Sequence, residues 1–241
     1  MLKHVSIALG LSVSLLMNSC SDQYNILGNS TVPTYEGNVL YLKVVNTDHT
    51  VASRDSAEVV HGRFGFEGII DTVCMAQLFM GTHCLLPVVL EKGEIQISFT
   101  DTEQTVRGGT LNERLYKFLN ENARLQNEIQ SNTEHLARLI MDGRTGGNAP
   151  AGRYDRHVER RGETLQDRLD RLWVNFICQN FDNVLAPVYF MEYTSQYFYP
   201  VITPQIDKII KRAPASFLNN PDVQSYLRDA RFNMRLIQGQ P

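Results

Sequence analysis

Cysteine is scarce in this chain. Four occur in 241 residues, at positions 20, 74, 84 and 178, and no two stand as Cys-x-x-Cys. That removes the dithiol spacing on which thiol–disulfide exchange depends. Basic charge is not in excess either. Lys and Arg number 23 against 26 Asp and Glu, so the formal net charge is −3. Nucleic-acid binding needs a concentrated basic face, and this balance argues against one. The chain has no Gly-Lys-Ser/Thr of a phosphate loop, no Gly-x-Ser-x-Gly, no His-Glu-x-x-His and no EF-hand loop. Low-complexity tracts and internal repeats are absent as well. The apolar run at 5–17 is too short for a membrane-spanning helix, which needs about 20 residues, and no later run approaches that length.

That run has another use. Lys3 and His4 give a basic start, 5–17 is apolar, and Ser19 is a small residue before Cys20. This is the pattern of a secretory signal peptide over residues 1–19. A Cys just after the cut resembles the lipobox of bacterial lipoproteins, which implies that Cys20 is lipidated and holds the chain to a membrane. An ordinary cleaved signal with a chance Cys is the alternative. Ser21 after the Cys implies the outer membrane, and the single acid Asp22 implies its periplasmic face. The mature chain runs from 20 to 241, or 222 residues. Only Lys3 is lost from the count, so 22 basic residues face 26 acidic ones, a net −4. That length holds one large or two small domains.

Residues 20–37 are rich in Asn, Ser, Gly and Pro and read as a tether. Residues 38–108 read as β-structure. The run at 38–45 is apolar, and "AEVV" and "RFGFEGII" flank His61-Gly62, which suits a tight hairpin turn. Phe64, Phe66 and Ile70 fall on one strand face, as do Ile95, Ile97 and Phe99 beyond a Lys92-Gly93 turn. About seven short strands are expected. A hairpin turning near Thr82 would put Cys84 opposite Met80 and far from Cys74, so no disulfide is expected and the free cysteines should be buried.

After Gly109 the period changes to 3.6. Thr110 and Glu113 have the spacing of a capping box. Leu111, Leu115, Phe118, Leu125, Ile129, Leu136 and Ile140 form one stripe. A second helix from about Tyr154 carries Val158, Leu165, Leu169, Leu172 and Phe176. Short helices follow, with Thr203-Pro204 and Asn220-Pro221 as starts. The expected fold is α+β: a small antiparallel β-sandwich or open barrel, then a helical region over 110–241 built on a long antiparallel helix pair.

Gly62, Gly65 and Gly68 raise the question of a phosphate cradle. Their spacing is Gly-x-x-Gly-x-x-Gly and a strand follows, so no helix N-terminus waits to receive an anion. The hairpin is the expected reading. Three stretches, "DSAEVVHGRFGFEGII", "VVLEKGEIQISF" and "VRGGTLNERLYKFL", together resemble the uncharacterised β-rich domain at the N-terminus of many thioredoxin-like lipoproteins of Gram-negative bacteria. Asp55, Ser56, Gly62, Phe64, Phe66, Gly68, Leu90, Glu91, Gly93, Ile95, Gly109, Thr110 and Asn112 carry the likeness over residues 36–120. In longer relatives a redox domain with a Cys-x-x-Cys pair comes next. Only 61 residues follow Asn180 here and none is Cys, so that activity does not carry over.

The remaining candidates are few. His83 and Cys84 are adjacent on a strand and should diverge. His135 and His157 on the two long helices lack further ligands at fixed spacing. The stretch "PVYFMEYTSQYFYP" offers Tyr193, Tyr197, Phe198 and Tyr199 as contacts for a glycan or a protein. The same aromatics would serve equally to pack helices against one another. The expected function is a lipid-anchored envelope protein acting as a non-catalytic binding or scaffolding module, with no cofactor and no metal. An accessory to a separate thioredoxin-like oxidoreductase, implied by the resemblance, and a glycan-binding lipoprotein are the alternatives. The expected partners are the membrane through Cys20 and an envelope protein or glycan.

Overall fold

The computed structural model describes residues 22–45, 50–141 and 151–237, with the side chains of Val45 and of 151–157 left aside. The signal segment and Cys20 lie outside the described residues. Eight strands come first: β1 Gln23–Ser30, β2 Val39–Val45, β3 Val51–Glu58, β4 Arg63–Ile69, β5 Cys74–Met80, β6 His83–Leu90, β7 Gly93–Phe99 and β8 Gln104–Arg107. Six helices follow: α1 Thr110–Met141, α2 Ala151–Gln179, α3 Leu185–Ser195, α4 Pro204–Arg212, α5 Ala215–Leu218 and α6 Pro221–Ile237.

The strands form two four-stranded sheets, β4-β1-β7-β8 and β3-β2-β5-β6. Alternate residues point inward, as a period of 2 requires. Tyr24, Ile26, Phe64, Phe66, Ile95, Ile97 and Phe99 meet Leu40, Leu42, Leu78, Leu86, Val88 and Leu90 in one shared core. Each such side chain contributes about 1.5–3 kcal/mol when buried. The expected sandwich is therefore present, with one departure from antiparallel pairing: β1 and β7 run parallel.

The expected tether is the main correction. Residues 23–30 are not a linker but an internal strand, hydrogen-bonded to β4 on one side and β7 on the other. Its polar look comes from Gln23, Asn25 and Asn29 on the outward face. Its third inward position is Gly28, because the Phe64 ring lies over it. A Cβ there would stand 2.1 Å from that ring. Only Tyr24 and Ile26 were left to signal a strand, and both strands that pair with β1 come much later in the chain.

The turn at His61-Gly62 is present, but the hairpin around it is not. His61 and Gly62 have φ of 51° and 68°, the primed conformation expected. However, β3 pairs with β2 and β4 pairs with β1. One isolated bridge, Val60 to Arg63, is all that joins them across the turn. The turn carries the chain from one sheet to the other. Its two amides do hold an anion, the carboxylate of Glu36, at 2.7 and 2.8 Å.

Cysteine placement also differs. A register shift between Leu78 and Phe79 sets Cys84 opposite Phe79 and His83 opposite Met80. Cys74 pairs with Leu90 at the other end of the same ladder. All three described cysteines are free, but they are not buried: Cys84 is exposed and Cys74 and Cys178 are intermediate.

α1 begins at Thr110, yet its N-terminal amides are taken by Glu91 rather than by the expected Thr110–Glu113 box. The Glu91 carboxylate accepts from the amides of Leu111 at 3.0 Å and Asn112 at 2.9 Å. α1 and α2 lie antiparallel, tied by Trp173 Nε1 to Asn122 and by Asn132 to the carbonyl of Val158. The Phe118 and Phe176 rings stack at 4.0 Å between them. The α1 stripe drifts at its end: Leu139 is buried where Ile140 was expected, and Ile140 is exposed. The short helices start as their sequences indicate. Thr203 caps α4 through the amide of Ile206, and Asn220 caps α6 through those of Asp222 and Val223.

Candidate functional site

The seam between sandwich and helices explains several residues of the sequence motifs. β6 is an edge strand, so one side of its backbone lacks a strand partner. Asn112, fully buried, fills that gap. Its Oδ1 accepts from the amide of Val89 and its Nδ2 donates to the Val89 carbonyl, both at 2.8 Å. The amide group of Asn112 thus imitates one residue of a neighbouring strand. Nδ2 also donates to Glu91 at 3.1 Å, and Tyr116 donates to the Pro87 carbonyl at 2.8 Å. These groups are spent on architecture. Nothing in the sequence spacing gives their roles away, because Glu91 and Asn112 lie 21 residues apart.

The aromatic segment divides in two. Tyr189, Phe190 and Tyr193 belong to the core of the helical region. Burial pushes the Tyr189 and Tyr193 hydroxyls far above the ordinary phenol range, so both stay neutral. Tyr197 is half-buried, its ring 6.3 Å from that of Tyr193. Phe198 is fully exposed, at 103 %, and Tyr199 is 49 % exposed. The chain after them is not loosely held. Tyr226 donates its hydroxyl to the Val201 carbonyl at 2.7 Å, and Asn233 donates to the Pro200 carbonyl at 2.9 Å. Both anchors stand on α6, whose Phe232, Leu236 and Ile237 are also exposed. A fixed loop thus presents two aromatic rings beside an apolar helix end.

Tyr193 takes part in a second feature, which the sequence reading missed. A hollow of about 190 Å³ is lined by Trp173, Tyr193, Asp170, Glu192, Gln126 and Gln166, among others. The Trp173 and Tyr193 rings are 5.4 Å apart and tilted by 37°. Asp170 accepts from Gln205 at 2.6 Å and from Gln166 at 3.1 Å, which fixes its carboxylate. The available signal was that Trp173 is the only tryptophan of the chain.

The other candidates form no site among the described residues. His135 borders a hollow between α1 and α2 with Arg124, Glu128 and Arg161, and the His157 side chain lies outside the described residues. Among the described residues no three His, Cys, Asp or Glu side chains are placed to hold a metal. Burial raises the Cys74 and Cys178 thiols, so neither is an activated thiolate. No described helix is long and apolar enough to cross a membrane.

No curated protein matches the chain. A family model does match, over residues 24–115. Its limits follow the physical unit: it starts in β1, where a tether had been expected, and ends in the turns of α1 that Asn112 and Glu91 fasten to the sheet. In keeping with the β-rich resemblance, residues 24–115 are similar to the family described as Domain of unknown function (DUF4369).

Proposed function

We propose that the chain is a lipid-anchored cell-envelope protein acting as a non-catalytic binding module at the periplasmic face of the outer membrane. Phe198 and Tyr199 make the contact with a partner protein. The observation that carries this reading is the fully exposed Phe198 ring on a loop held by Tyr226 and Asn233. A solvent-facing aromatic on an ordered segment costs nothing to pre-form at binding, and such residues dominate interface energies. Phe232 and Leu236 are exposed on α6, the helix that holds this loop, and add apolar area for a partner.

A photoreactive amino acid at position 198, in cells, tests the reading. The expected result is a discrete adduct with an envelope protein that the same probe at Glu103 does not give. No adduct at 198, or the same adducts from both positions, overturns it. The identity of the partner also decides whether the chain serves a thioredoxin-like oxidoreductase.

The hollow beside Trp173 favours a second reading, glycan binding. The half-buried Trp173 ring, with amides and carboxylates around it, suits the apolar face and hydroxyls of a sugar. Because Trp173 is the only tryptophan, its emission reports the site directly. A saturable change on adding a neutral oligosaccharide supports this reading, and an unchanged spectrum removes it.

A further inference from the structure

We propose that the end of the sandwich bearing Asp22, Ile69 and Lys92 rests directly on lipid headgroups, and that α1 leads away from the membrane. The inference rests on the lipidation of Cys20.

A lipoprotein on a long tether can take any orientation. Here the chain is fixed from Asp22 onward. The Ile70 amide donates to the Asp22 carbonyl at 2.7 Å, and the Asp22 carboxylate pairs with Lys92. Gln23 is already in register with Ile69, and Tyr24 with Gly93. Because β1 has a strand on both sides, it cannot peel away without breaking two ladders. Two peptide units separate Cys20 from Asp22, and consecutive Cα atoms are about 3.8 Å apart, so the two Cα atoms lie within about 8 Å. The acyl chains of Cys20 enter the bilayer core, which leaves Asp22 no room to rise far above the headgroups.

The neighbours of Asp22 fit such a surface. Ile69, on the strand beside it, is 61 % exposed. Lys92 is exposed, and the Arg54 guanidinium lies over the Ile69 carbonyl at 2.6 Å. The acidic Asp71 is exposed at the same end, so the charges are mixed. The short covalent link, rather than attraction to acidic lipids, sets the contact, and zwitterionic lipid is enough.

The same end fixes the direction of α1. Glu91, next to Lys92, holds the first amides of α1. From there α1 runs backwards along β6, with Asn112 against Val89 and then Tyr116 against Pro87. The helix of 32 residues spans about 48 Å at 1.5 Å per residue. Its far end, with the start of α2, is carried away from the lipid surface.

The test uses the full lipidated chain in phosphatidylcholine vesicles that contain a lipid-borne quencher. An environment-sensitive fluorescent amino acid is placed at position 69 or, as control, at 103 in the β7–β8 turn at the opposite end. Quenching at 69 is expected to exceed that at 103 several-fold. A 15-residue Gly/Ser segment inserted before Asp22 adds a reach of about 20 Å. It should bring the two values together while the protein still sediments with the vesicles. Equal quenching at both positions without the insert, or no effect of the insert, overturns the proposal. Failure of the unmodified protein to sediment overturns the lipid reading itself and the proposal with it.

Discussion

Asn112→Ala is the most informative single change. The side chain is fully buried and makes three hydrogen bonds, two to the Val89 backbone and one to Glu91. Alanine cannot replace any of them. Val89 is itself fully buried, so its amide and carbonyl would be left without a partner and without water. Each buried polar group left unpaired costs about 1–3 kcal/mol, which puts the total near 3–5 kcal/mol after some local relaxation. For a chain of this size each kcal/mol moves Tm by about 2–4 °C, so a drop of about 6–20 °C is expected. Denaturant unfolding followed by Trp173 emission measures the first quantity. Hydrogen exchange at the Val89 amide reports the bond itself. A change below about 1 kcal/mol, or unaltered protection of Val89, would refute the claim that Asn112 completes the sheet edge.

Other substitutions separate structure from contact. Gly62→Val should lower stability by about 2–4 kcal/mol, since a β-branched residue resists positive φ and its Cβ would meet the Ser30 carbonyl at 2.5 Å. A thermal midpoint equal to wild type would count against that turn. The amides of Gly62 and His61 hold the Glu36 carboxyl below its ordinary range. A lowered folded value means that this stabilisation is complete above the unfolded pKa, about 4.3, and fades as pH falls through the folded value. Glu36→Gln should therefore flatten the loss of stability on acidification below that pH, and an unchanged acid limb would show the contact to be idle. Phe198→Ala should leave the unfolding free energy within about 0.5 kcal/mol of wild type, as exposed sites do, while removing the crosslinked partner. A partner bound as before would dismiss Phe198 as its anchor. Cys20→Ala should release the mature protein from the membrane fraction; continued sedimentation would end the lipoprotein reading.

The order of strands, then helices, was plain in the sequence because the hydrophobic period changes from 2 to 3.6 near Gly109. Local signals were reliable: the primed turn at His61-Gly62 and the caps at Thr203 and Asn220 all depend on neighbours in the chain. Failures came where the deciding partner is remote. β1 was hidden because its third inward position is a glycine under Phe64 and both its partners lie far along the chain. Local spacing points to Thr110 as the helix cap because Glu91 lies outside any local window. The aromatic stretch could not be sorted by pattern. α3 is covered on most sides, so Tyr189, Phe190 and Tyr193 show no clean face, and the exposure of Phe198 depends on bonds to α6.

The imitation of a strand by Asn112 also sets where this protein can be cut. Strand β6 reads "HCLLPVVL", which is hydrophobic and carries no Asp, Glu, Lys or Arg. Without α1, its edge would be protected only at Pro87, where the missing amide blocks one bond of any incoming strand. A fragment ended at Arg107 would keep both sheets and still leave a sticky margin open to the same margin of a second molecule. Soluble sandwich should require the chain through at least Tyr116, so that the asparagine and the tyrosine travel with the edge they close.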